Sequence, residues 1–288
     1  MRILKVLVYS NAFVALVLAL LSLSTYYIVE GLPFKWYVPL SIYLGSLVLY
    51  SFHRLYKIDF IPKNQLAERH LWVVRNANIM KLVMSFSVLV FMVLLPNYDH
   101  ETIIWLIPAA IFSLAYTIPL IPAKNGWNRL RDIPFIKPLI ISIVVTYLTL
   151  CYPIFEAWGI ESILDPGLIG LFGERMLFIL AVTIPFDLRD IVNDKDAGLE
   201  TVGTELGFNA SKRLCGVVVS VWAISFAINA LFRNYSIEYM LLQAGLCAIL
   251  IGGLFRLNPN WKNLSYTLVF EGLIAGYSAA IIVSAYLH

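Results

Sequence analysis

The chain has 288 residues, of which 60% are hydrophobic and 14% charged, with a mean hydropathy of +0.80 and a net charge of +3. Soluble domains carry roughly 25% charged and 45–50% apolar residues, and a water-exposed fold of this size has too little interior for so apolar a chain. The composition therefore excludes a soluble globule, and the small net charge gives no electrostatic case for a nucleic-acid partner.

A spanning helix needs roughly 17–25 mostly apolar residues. The first such stretch covers about 6–28. Arg2 and Lys5 precede it like the start of a secretory signal, but the apolar run is too long for a signal h-region and is read as a membrane span. Eight more spans are expected at about 36–55, 79–96, 102–121, 138–156, 172–191, 212–232, 238–255 and 265–287. The sixth is the least regular. Its apolar part begins near Met176, after Glu174 and Arg175, which brings Phe186, Asp187 and Asp190 into its last turns. Asn11 in the first span is read as a helix–helix contact. Glu271, about two turns into the ninth, is read as facing the bundle interior, either on the acceptor side of a site or bonded to a neighbouring helix. Trp36, Tyr37, Trp261 and Tyr286 are expected in the aromatic belts. Cys151, Cys215 and Cys247 lie in apolar runs with no metal-like spacing and are read as packing residues.

With the N-terminus in the cytoplasm, every one of the 21 basic residues except Lys35, Arg175 and Arg233 falls on the cytoplasmic side. That asymmetry supports the odd number of spans. The expected architecture is an all-α polytopic membrane protein with nine transmembrane helices in one domain, residues 1–288, in a cell (inner) membrane. The longer loops, about 56–78, 122–137 and 192–211, gather on the cytoplasmic side, where functional residues are expected.

The most informative stretch runs from Pro185 to Gly198 and holds Asp187, Asp190, Asp194 and Asp196. On a helix the first three stand at i, i+3 and i+7 and project from one face. Three carboxylates so placed repel one another unless a cation lies between them. Hard oxygen ligands at this spacing suit Mg2+, which binds through one or two carboxylates plus substrate phosphates. Asp196 and Glu200 are read as surface charges.

The segment Asp187-Leu188-Arg189-Asp190-x-x-x-Asp194-x-x-x-Gly198, followed by Thr201 and Leu206-Gly207, resembles the second aspartate-rich motif of the UbiA superfamily of intramembrane prenyltransferases. Tyr116-Thr117-Ile118-Pro119 after span four resembles a Tyr–Pro element of that family. The first aspartate-rich motif, Asn-x-x-x-Asp-x-x-x-Asp after helix two, reads Ser51, Leu55 and Asp59 here, among His53, Arg54 and Lys57. The resemblance implies nine helices and a membrane-lipid setting. It also implies transfer of an isoprenyl group from a prenyl diphosphate to a hydrophobic, aromatic or lipid acceptor with Mg2+. Asp187, Asp190 and Asp194 would be catalytic and, with Asp59, hold the metal. Arg54, Lys57, Arg69, Lys137, Arg189 and Tyr116 would meet the diphosphate, with Arg131 as a possible addition. Cations where the first motif loses its acids could supply a metal's charge without a metal. Two other readings stay open: a repurposed relative that binds an isoprenoid or lipid without transferring it, and a small-molecule transporter. The transporter lacks support from an inverted repeat or from many mid-membrane charges.

Overall fold

The computed structural model describes residues 2–58, 68–123, 126–133, 135–196, 198–258, 261 and 263–287. Helix occupies most of each expected span, although the fourth, expected at 102–121, is helical only to Thr117 and gives way to a strand at Ile121. Among the described residues, six stretches are long and apolar enough to cross a membrane, and a bent helix pair makes a seventh. The chain is an integral membrane protein. Its lipid-facing surface carries side chains such as Leu82, Phe86 and Val93, each more than 60% exposed, as expected where hydrocarbon rather than water surrounds the bundle.

The first span is broken. α1 (Arg2–Tyr9) and α2 (Ala12–Ile28) meet at 73°, and Asn11 at the break takes a left-handed backbone (φ 66). Asparagine tolerates that conformation better than most residues. Its side-chain amide donates to Ser51 Oγ (3.3 Å), so the expected helix contact is present, made from a hinge and not from mid-helix. α3 (Tyr37–Ile58) lies against α2, and its last turns carry His53 and Arg54. α4 (Glu68–Arg75) and α5 (Ala77–Leu94) follow, then the short α6 (His100–Ile103) and α7 (Leu106–Thr117). An antiparallel hairpin, β1 (Ile121–Ala123) with β2 (Gly126–Asn128), occupies part of the expected 122–137 loop.

The fifth span joins α8 (Ile136–Thr146) to α9 (Tyr152–Trp158) through a π-helical turn, Tyr147–Cys151. The sixth is α10 (Pro166–Asp196) and the seventh α11 (Val202–Phe232), 31 residues each and roughly 46 Å long at helical rise. The eighth is α12 (Ile237–Arg256). The ninth runs from α13 (Asn263–Tyr266) through a second π turn, Thr267–Glu271, into α14 (Gly272–Leu287).

Three sequence expectations are corrected. The 192–211 loop is mostly helix, because α10 continues to Asp196 and α11 begins at Val202, capped by Thr201, with a kink at Gly207 (φ 73). Glu174 and Arg175 do not precede the sixth span but lie buried inside it. Arg175 donates to Thr149 O (2.8 Å), Thr25 Oγ1 (2.7 Å) and Leu21 O (3.3 Å), and Glu174 accepts from Asn229 (2.7 Å) and Tyr277 (3.1 Å). A π turn disturbs the regular i to i−4 ladder, and Thr149 O within it is used by another helix. Finally, Tyr37 is not a belt residue. It is buried and donates to Glu156 Oε1 (2.8 Å), whereas Trp36 and Tyr286 are exposed as expected.

The α10–α11 hairpin is tight for a local reason. A Cβ on Gly203 would stand 2.8 Å from the main-chain oxygen of Asp187 and 2.6 Å from Ile191 Cγ1. The start of α11 thus lies directly against the backbone that carries the carboxylate cluster.

Candidate functional site

The ends of α3, α10 and α7, with the starts of α4 and α8, surround a cavity of about 300 Å³. Arg54, Arg69, Arg131, Lys137 and Arg189 line its polar end, against Asp187, Asp190 and Glu271. Aliphatic and aromatic side chains, among them Leu18, Phe112, Ile141, Val144, Ile179 and Ile274, line the remainder inside the bundle.

The three aspartates divide between two partners, and helical geometry gives the reason. Positions seven apart return to within about 20° of the same direction, whereas a step of three turns about 60° away. Asp187 and Asp194 accordingly share one cation. The Lys137 ammonium is 2.6 Å from Asp187 Oδ1 and 3.2 Å from Asp194 Oδ2. Asp187 and Asp194 are about 1% and 2% exposed in their side chains and Lys137 about 10%. The Asp194 contact is a hydrogen bond. The Asp187 contact is an ion pair that leaves both carboxylate oxygens with acceptor capacity. Asp190 turns instead to Arg189, which grips it with two bonds of 2.8 and 2.9 Å while lying 4.9 Å from the Phe186 ring centroid.

The opposite wall is cationic. Arg54 donates to Val8 O (3.3 Å) and Tyr9 O (2.7 Å), the last carbonyls of α1, which have no partner within their own helix. Lys5 reaches Glu68 at the start of α4 (2.6 Å). Arg69 faces the same cavity, and burial, then the nearby Arg189 guanidinium, lowers it to about 10. It remains charged at neutral pH among other cations. Arg131 lies 5.7 Å from the Tyr116 ring centroid, 3.3 Å from His53 Nε2 and 3.9 Å from Asp194. The Tyr116 element and the aspartate cluster thus meet through Arg131.

The expected residues Asp187, Asp190, Asp194, Arg54, Arg69, Lys137, Arg189 and Tyr116 are therefore brought around one cavity or immediately behind it. Asp59 and the side chain of Lys57 lie outside the described residues. At the first-motif positions, Ser51 is committed to Asn11, and Leu55 offers no ligand. Sequence reasoning missed the contribution of α1, whose Val8 and Tyr9 form part of the wall. The polar pair Ser10-Asn11 within the first apolar run was the signal of that break.

No three His, Cys, Asp or Glu side chains among the described residues come close enough together to hold a metal ion. Asp187 and Asp194 enclose an ammonium, and Asp190 is occupied by a guanidinium. The described residues do not fit the Mg2+ site that the sequence resemblance implies.

Solved structures nevertheless match over nearly the whole chain. A UbiA homolog from Aeropyrum pernix K1, in its apo form, superposes with a TM-score of 0.69 over 95% of this chain and 97% of that one, at 11% identity. The chain has the UbiA fold. A UbiA homolog from Archaeoglobus fulgidus bound to GPP and Mg2+ matches with a TM-score of 0.63, covering 98% and 100%, at 15% identity, and the same homolog is also seen with DMAPP and Mg2+. Digeranylgeranylglyceryl phosphate synthase matches with a TM-score of 0.60 over 97% and 99%, at 15% identity. No family model and no curated protein matches the sequence. The aspartate segment is the end of α10, and the cavity lies between it and the end of α3.

Proposed function

We propose that this chain is an intramembrane prenyltransferase of the UbiA type, moving an isoprenyl group from a prenyl diphosphate to a hydrophobic acceptor. One observation carries this reading: a single cavity joins a cluster of five cationic side chains to an apolar, aromatic-containing interior. A prenyl diphosphate has the same two-part chemistry. The UbiA homologs bound to DMAPP and GPP support the choice of donor. Residues 1–288 are read as one transmembrane domain in a cell membrane, with the N-terminus and the polar end of the cavity cytoplasmic, following the distribution of Lys and Arg.

The chemistry follows from charge. The bond between prenyl C1 and the bridging oxygen breaks, and its electron pair leaves on the diphosphate. Preorganised Arg and Lys side chains at that end stabilise the charge as it develops, in a site where water does not have to reorganise. The allylic cation left behind faces Tyr50, Phe112, Tyr116 and Phe186, whose π faces attract cations. The acceptor bonds to C1 and releases a proton. Glu271, which lines the cavity and makes no hydrogen bond or ion pair among the described residues, is the carboxylate placed to take it. Mg2+ accompanies the prenyl diphosphates in the Archaeoglobus fulgidus homolog. Here it would have to displace Lys137 to reach Asp187 and Asp194 together.

The test is transfer of a radiolabelled prenyl group from geranyl or geranylgeranyl diphosphate into lipid extracts, by protein in nanodiscs. Labelled product together with free diphosphate supports the proposal. Saturable binding without product would favour the isoprenoid-binding relative, a reading that Ser51 and Leu55 in the first motif keep open. Absence of binding sinks both.

A further inference from the structure

We propose that Lys137 takes the place of a divalent cation between Asp187 and Asp194, so that this chain engages the diphosphate with its own cations and without metal. The inference rests on the prenyl diphosphate reading of the cavity and states how that group is held.

Four observations converge. Lys137 bridges the two carboxylates at 2.6 and 3.2 Å, with all three side chains almost entirely withdrawn from solvent. Arg131 stands 3.9 Å from Asp194, so the two carboxylates are matched by two cations, and the pair has no net charge left to recruit an ion. The third aspartate is closed off by the two-bond contact from Arg189. Across the cavity, the described first-motif positions hold a serine already bonded to Asn11 and a leucine, while Arg54 and Arg69 point to the same space.

The placement of Lys137 runs against local helix physics, and that gives it meaning. It is the second residue of α8, where the helix dipole disfavours a cation and favours an anion. Phe135 immediately before the helix has a left-handed backbone (φ 60), a conformation unusual for a bulky residue. At this helix start Pro138 has no amide hydrogen and Ile136 N–H is bonded to Ile133 O, so the donor offered to a phosphate is the Lys137 ammonium itself, which lines the cavity while two aspartates hold it in place. Lysine is a common phosphate ligand and acts as a compact point charge. A Mg2+ ion seeking the same two carboxylates would have to evict a buried ammonium that each already compensates.

Binding of a thio-linked geranylgeranyl diphosphate analogue to the protein in nanodiscs tests this, with EDTA in one arm and millimolar Mg2+ in the other. Mn2+ electron paramagnetic resonance reports metal occupancy separately. For the wild-type chain the expected result is an affinity equal within about twofold in the two arms, with no bound Mn2+. Lys137→Ala is expected to lose at least tenfold of the metal-free affinity, to acquire a bound Mn2+, and to recover affinity when Mg2+ is added. Lys137→Arg is expected to stay metal-indifferent. Wild-type binding that appears only with Mg2+, or wild-type protein that binds Mn2+, overturns this inference and leaves the prenyltransferase reading standing. Absence of binding in both arms overturns the two together. The wild-type measurements decide the matter even if Lys137→Ala fails to fold.

Discussion

Arg175, in the third turn of α10, donates to the carbonyl oxygen of Thr149 at 2.8 Å, joining the sixth span to the π turn of the fifth. The same guanidinium nitrogen reaches Thr25 of α2, so one side chain fastens three helices on the side of the bundle away from the cavity's charged end. Replacing it by leucine removes both charge-assisted bonds, each worth about 1.5–3 kcal/mol, although Thr25 Oγ1 still donates to Thr149 O. Arg175→Leu is therefore expected to lower stability by about 2–4 kcal/mol while diphosphate affinity of the folded fraction is unchanged. Thermal unfolding followed by size-exclusion chromatography checks the first part, and a binding isotherm checks the second.

Asp190 separates two accounts of the aspartate cluster. As a metal ligand it would be needed for diphosphate binding. As the partner of Arg189 it restrains a cation that could otherwise meet the substrate. Asp190→Asn is expected to tighten metal-free binding of the analogue, by roughly three- to tenfold, or about 0.7–1.4 kcal/mol. A marked loss of affinity would count against the second account.

Arg189→Ala is expected to weaken diphosphate binding and to lower transfer by roughly 10²–10³-fold, the usual consequence of removing one preorganised contact to developing charge. Arg189→Lys should recover little, because a single ammonium cannot offer the diphosphate the planar pair of donors that a guanidinium does. Steady-state transfer rates for the two variants, set beside the wild type, give the comparison.

In the proposed reaction Glu271 takes the proton that the acceptor releases. Glu271→Gln should leave affinity for the diphosphate analogue within about threefold and lower turnover by roughly 10²–10⁴-fold, the range for losing a general base. An equal loss in binding and turnover would move Glu271 from proton transfer to donor binding.

Gly203 is tested by its own close approach. A Cβ there meets the Asp187 backbone oxygen at 2.8 Å, and backbone cannot swing aside as a side-chain tip can. Gly203→Ala should destabilise by about 1–3 kcal/mol, as overpacking usually does. It should also weaken diphosphate binding by pushing α11 off the helix that carries Asp187. The same unfolding and binding measurements apply.

The all-helical, membrane-spanning character was legible because spans announce themselves by length and apolarity, and among the described residues six or seven of the nine expected spans meet that criterion. The aspartate segment was legible as a candidate site because charge at a membrane boundary is costly to keep without use. Less was legible where polar groups are satisfied across helices. Glu174 and Arg175 read as the outside of a span because sequence shows their charge but not the partners on α2, α11 and α14 that make their burial tolerable. Tyr37 read as a belt residue for the same reason, its partner Glu156 being distant in the chain. The pairing of Lys137 with Asp187 and Asp194 joins positions some fifty residues apart, and no spacing rule reaches that far. Both π turns escaped notice because their composition differs little from that of the helices around them.

The bent α1 has a practical consequence for anyone handling the protein. Val8 and Tyr9 wall the cavity, yet the helix that carries them is held by the Arg54 contacts to its last carbonyls and by the surface pair Lys5–Glu68. A bulky affinity tag fused ahead of Arg2 would pull on that anchorage, which Tyr9 shares through Glu68 and the Trp72 ring, and through Arg54 it would disturb the cationic wall of the cavity. Purification handles belong at the other end, after α14, which contributes Ile274 to the cavity from early in the helix and leaves Tyr286 and Leu287 exposed at its far tip.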